Sequence, residues 1–116
     1  MYESLRIAIA STDGKVINEH FGRAKEFYIV NVFDVGRYEY MEKRSVAPLC
    51  SGGEHSDNAL DELIEILSDC NMILAARIGA PMKTALESRG VTVLESPAVI
   101  EDALPLLAKE FLQQTE

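Results

Sequence analysis

The chain has 116 residues, 47% of them hydrophobic and 26% charged, a composition that excludes a disordered, collagenous or coiled-coil chain and suffices for one self-standing core. Nineteen acidic against eleven basic residues give a net charge of −8, and a surface of that sign repels phosphate backbones, which argues against nucleic-acid binding. The longest aliphatic run, residues 72–76, is far shorter than the roughly 20 residues a membrane helix needs, and the amino terminus lacks the features of a signal peptide, so a single cytoplasmic domain over residues 1–116 with no membrane association is expected.

Leu5, Ile7 and Ile9 alternate with Ala8 and Ala10, which predicts a first strand covered on both faces; Ser11-Thr12-Asp13-Gly14 turns it. A second strand over residues 27–33 joins a third, 38 to about 46, through Asp34-Val35-Gly36, a hairpin signal that makes the two antiparallel neighbours. A polar loop, Cys50-Ser51-Gly52-Gly53-Glu54-His55, leads to Ser56 or Asp57, either of which caps a helix with Leu60, Leu63, Ile64 and Leu67 on one face. Its acids Asp57, Asp61, Glu62 and Glu65 then form a solvated face. Residues 72–76 form a short buried strand, Gly79-Ala80-Pro81 opens a second helix, and Gly90 closes it before a strand over 91–94. The last helical stretch carries Leu104, Leu107, Ala108 and Phe111, and Pro105 calls for a break or a helix start shortly before it, because proline inside a helix loses a hydrogen bond and clashes with the preceding turn. The order βββαβαβα predicts an α/β fold: a mixed sheet with strands one, four and five parallel and helices on both faces.

Open α/β sheets put ligands at the carboxyl end of their parallel strands. That end collects His20 from the loop after strand one, Cys50 and His55 from the loop after strand three, and Arg77-Ile78-Gly79 after strand four. Thiolate and imidazole suit iron-sulfur clusters, zinc or copper better than magnesium or calcium; no Cys-x-x-Cys pair marks a closed structural zinc site. For Cys50 alone, a ligand role and a packing role remain equal alternatives, whereas His20 alone reads more readily as a surface or helix-capping histidine, and His55 is a weaker ligand candidate still. Cys70 falls at the opposite end, a strand length of roughly 15 to 20 Å away, too far for a disulfide to Cys50, and reads as a small buried hydrophobe. Gly79-Ala80-Pro81-Met82-Lys83-Thr84 lacks the second glycine of a phosphate loop, so this segment is an ordinary connection or, with Arg77 beside a helix start, a seat for an anion. No serine lies in a nucleophile elbow.

Ile7-Ala8-Ile9-Ala10-Ser11-Thr12-Asp13-Gly14, then Val16, Glu19-His20-Phe21-Gly22-Arg23-Ala24 and Phe27, resembles the amino-terminal signature of the dinitrogenase iron-molybdenum cofactor biosynthesis family. The similarity continues through Cys50-Ser51-Gly52-Gly53, Leu67-Ser68-Asp69-Cys70, Arg77-Ile78-Gly79, Leu86, Gly90-Val91 and Ile100-Glu101-Asp102-Ala103, covering residues 5–112. The resemblance implies a ribonuclease H-like five-stranded fold and a carrier of iron-sulfur or iron-molybdenum type clusters in metallocofactor biosynthesis for nitrogen fixation, with cluster-donating and cluster-accepting proteins as partners. A similar module ends the radical enzyme that builds the cofactor core; this chain has two cysteines and so lacks that enzyme's Cys-x-x-x-Cys-x-x-Cys cluster motif, and no synthase activity is implied. The family points to His20 and, in this subgroup, Cys50 as cluster ligands, with His55 a possible third. A cluster of sulfides is anionic, so Arg77, Arg23 and the N–H groups near Gly79 would hold it electrostatically. Rival readings are an enzyme with one divalent metal at His20, Cys50 and His55, and a metal-free interaction or regulatory module; the chain is expected to be a monomer or weak homodimer. A nuclease on this fold would need several converging carboxylates, and only Asp13 and Glu19 are near the end of strand one.

Overall fold

The computed structural model describes residues 3–46 and 57–112. The elements follow the expected order: β1 (Leu5–Ala10), β2 (Glu26–Asp34), β3 (Arg37–Ser45), α1 (Asp57–Ile66), β4 (Met72–Ala75), α2 (Ala80–Ser88), β5 (Thr92–Glu95) and α3 (Ile100–Phe111). They form one five-stranded sheet in the order β3-β2-β1-β4-β5. β2 is antiparallel to both of its neighbours, while β4 runs parallel to β1 and β5 parallel to β4. The expected α/β class and mixed sheet are therefore present. Among the described residues no helix is long and apolar enough to cross a membrane.

The period-two pattern of β1 sorts its side chains between two cores. Ala8 and Ala10 pack with Leu60, Leu63 and Leu67 of the α1 region and Leu86 of α2. Leu5, Ile7 and Ile9 pack on the other face with Ile100, Ala103, Leu104, Leu107 and Ala108 of α3. Each fully buried isoleucine or leucine contributes roughly 1.5–3 kcal/mol, so helices are held on both faces, as the order of elements predicts. On α1, Asp61, Glu62 and Glu65 are exposed and form the solvated face; the side chain of Asp57 lies outside the described set.

Gly79 is the N-cap of α2, Pro81 sits in its first turn, and Gly90 leaves it with φ +78°, a left-handed conformation that favours glycine. α3 departs from expectation. It begins at Ile100, ahead of Pro105 but by more than a turn, and continues through the proline. The five buried residues of α3 offset the one backbone hydrogen bond that Pro105 cannot donate.

β3 is an edge strand with a bulge: Glu42 pairs with Ile29 and Tyr40 with Val30, so Met41 has no partner. At the amino end of the parallel strands lies Cys70, half-buried between α1 and β4, as placed from sequence. Burial, with the Asp69 carboxylate second, pushes its thiol up to about 12, which leaves it protonated and inert. The expected absence of a Cys50–Cys70 bond involves a residue outside the described set.

Candidate functional site at the carboxyl edge

The loop between β1 and β2 lies across the carboxyl end of the sheet, and its own side chains fold it. The buried hydroxyl of Ser11 donates to the Val16 carbonyl at 2.6 Å and accepts from the Gly14 N–H at 2.9 Å. The Asp13 carboxylate accepts from the N–H groups of Lys15 and Val16 at 2.8 and 3.1 Å, and those bonds hold its carboxyl below the usual range. Tyr40 donates its hydroxyl to the Gly14 carbonyl at 2.7 Å.

Further along, the loop is stitched to the segments that follow β5 and β4. Ile17 donates to the Ala98 carbonyl at 2.8 Å and Ile100 to that of Lys15 at 2.9 Å. Ala76 donates to Glu19, and Phe21 to Arg77, each at 2.9 Å, so that His20 and Arg77 form an isolated parallel bridge. Phe21 is 1% exposed and packs edge-on against Phe27, with ring centroids 6.1 Å apart. With Phe21 buried and its N–H fixed, the preceding His20 is held by its backbone while its side chain faces solvent. A 3-10 turn, Phe21–Arg23, follows at once and ends on Arg23.

Arg23, Arg77 and Gly79 are exposed at the same edge as His20. Four of the six arginines have carboxylate partners: Arg6 with Asp69, Arg37 with Asp34, Arg44 with Glu42 and Asp69, and Arg89 with Asp61. Among the described residues Arg23 and Arg77 have no salt bridge, and both stand beside His20. Two unpaired guanidinium groups on a chain of net charge −8 favour an anion at this edge.

Cys50 and His55 lie outside the described residues. Val46, just after β3, donates to the Lys25 carbonyl at 2.8 Å. Among the described residues no three His, Cys, Asp or Glu side chains converge as a metal site. One contributor is invisible to motif reading. Glu95, at the end of β5, accepts the Ile78 N–H on its Oε1 at 2.9 Å, a side-chain to backbone bond across 17 residues that no local pattern announces.

Residues 3–110 match the family described as dinitrogenase iron-molybdenum cofactor. The FeMo cofactor biosynthesis protein NifB of Sinorhizobium fredii is 38% identical over 93 residues, which make up 80% of this chain and 19% of that protein. That of Herbaspirillum seropedicae is 31% identical over 112 residues, 97% of this chain and 19% of the relative. The chain thus spans about a fifth of the length of these curated relatives. The crystal structure of PH0822 has a TM-score of 0.67 to this chain at 25% identity, covering 94% of this chain and 93% of the other. The His20-Phe21-Gly22 turn and the sheet that carries it are thus parts of a known family, and the chain belongs to the dinitrogenase iron-molybdenum cofactor family.

Proposed function

We propose that this chain acts in iron-molybdenum cofactor biosynthesis as a carrier, holding an iron-sulfur or iron-molybdenum type cluster at the carboxyl edge of its sheet and passing it between a cluster-donating and a cluster-accepting protein in the cytoplasm. The observation that carries the reading is the pair Arg23 and Arg77, which have no salt bridge among the described residues and stand beside an exposed imidazole. His20 and Cys50 are the proposed protein ligands, with His55 a candidate third. An imidazole nitrogen and a thiolate bind iron directly, while the two guanidinium groups balance the charge of the sulfides. Two or three protein ligands leave part of a cluster open to an acceptor's thiolates, which favours transfer over storage, and carriage of this kind needs no catalytic residue.

Anaerobic reconstitution with iron, sulfide and molybdenum counted per chain tests this reading. Several irons and sulfides on the wild type, lost in both His20→Ala and Cys50→Ala, are the expected result. A single bound metal with hydrolytic turnover would replace the carrier with a mononuclear enzyme. No uptake by the wild type would replace it with a metal-free module.

A further inference from the structure

We infer that Glu95 is a positioning residue for this edge, acting through the single peptide unit that joins Arg77 to Ile78. The inference rests on the carrier reading for its consequence and on the geometry for its substance. The carbonyl of that unit, on Arg77, accepts from the Phe21 N–H at 2.9 Å. The N–H of the same unit, on Ile78, donates to Glu95 Oε1 at 2.9 Å. The described residues contain no cis peptide bond, and in a planar trans unit the C=O and N–H point in opposite directions. Glu95 and Phe21 therefore grip one rigid plate from its two sides.

That plate decides where the proposed cargo groups stand. Arg77 projects from one end of it, and the other end leads through Ile78, 6% exposed, to Gly79 at the start of α2. The opposing grip on Phe21 fixes the backbone next to His20. Glu95 is itself held in place: it pairs in register with Ala75, and Ser96 donates to the Ala75 carbonyl at 2.9 Å. A carboxylate acceptor makes the Ile78 bond charge-assisted and polarises the peptide, strengthening the carbonyl that receives Phe21. The Ile78 N–H is thus committed to Glu95 and is not offered to an anion, so the cargo's charge falls to the two arginines. Glu95 sets the spacing of Arg77 from His20 without touching the cluster.

Two measurements test the role. In the chain without cargo, amide hydrogen exchange should show Phe21 and Ile78 exchanging about tenfold faster in Glu95→Ala than in the wild type, with Ile7 and Leu74 unchanged. Glu95→Gln, which keeps an acceptor oxygen, should restore most of the protection. In anaerobic reconstitution, Glu95→Ala should retain several-fold less iron than the wild type, and Glu95→Gln should recover it. Unchanged Phe21 exchange in Glu95→Ala would remove the clamp. Faster exchange with full iron retention, while His20→Ala loses its iron, would overturn the positioning role and leave the carrier reading standing. A wild type that takes up no iron would overturn the carrier reading and the role together, with the exchange data still reporting whether the clamp exists.

Discussion

Gly14 is the residue at which the loop over the carboxyl edge tolerates no side chain. Its φ is +73°, and a Cβ there would lie 2.9 Å from Cε1 of the Tyr28 ring, a ring already flanked by Tyr40 at 6.4 Å. Gly14→Ala adds a left-handed backbone penalty to a steric one, and a loss of about 1–3 kcal/mol is expected in denaturant unfolding; unchanged stability would mean that the turn relaxes freely. The Thr12-Asp13-Gly14 turn and the His20-Phe21-Gly22 element were both visible in sequence, because local backbone demands select local residue types. Glu95 was not. Its role depends on the pairing of β4 with β5, which brings the end of one strand beside the exit of the other, and a lone glutamate after Leu94 carries no trace of that distance.

Among the elements, a carboxylate at the end opposite His20 ties three segments together. Asp69, in the turn between α1 and β4, bonds Arg44 of β3 at 2.7 and 2.8 Å and Arg6 of β1 at 2.8 Å, while Arg44 also donates to the Ile66 carbonyl at the end of α1 at 2.7 Å. The bonds from Arg44, helped by Arg6, hold the Asp69 carboxyl well below the usual carboxylate range against the opposing effect of burial. A carboxyl depressed in the folded state adds stability at pH above its unfolded value, near 4, and that contribution disappears as pH falls toward the folded value. The urea midpoint of the wild type should therefore drop more steeply below about pH 4 than that of Asp69→Asn, though modestly, because the side chain is 42% exposed. Parallel acid profiles would show that the network contributes nothing.

Element order was legible because hydrophobic period separates strands from helices here: Leu5, Ile7 and Ile9 alternate, whereas Leu60, Leu63 and Leu67 recur at helical spacing. Two elements escaped that logic. Pro105 suggested an interruption because a local rule was applied to a helix that tertiary packing sustains. The 3-10 turn Phe21–Arg23 is too short to show a period. At the site, the topology collected His20, Cys50, His55, Arg77 and Gly79 at one edge; His20, Arg77 and Gly79 are exposed there and Cys50 and His55 lie outside the described residues. The freedom of Arg23 and Arg77 from carboxylates among the described residues, by contrast, is a property of the surface and not of any segment.

Across the whole molecule, charge is arranged unevenly. Arg6, Arg44, Asp69 and Glu42 neutralise one another in one network, whereas among the described residues Arg23 and Arg77 have no salt bridge. The sheet also differs at its sides: β5 is an edge of four residues, while β3 is an edge of nine, long enough to recruit another strand. The Met41 bulge stands in the middle of that longer edge and changes which face the following side chains occupy. Deleting Met41 should bring Glu42 into step with Tyr40, and sedimentation should then show more self-association than in the wild type; equal sedimentation would mean that the bulge does not limit pairing at this edge. One unpaired methionine thus limits how far order can spread from molecule to molecule. On a regular edge each added strand would present the same template to the next, but here a second copy meets a strand whose two halves are out of phase, and crowding brings the molecules together without giving them a lattice to extend.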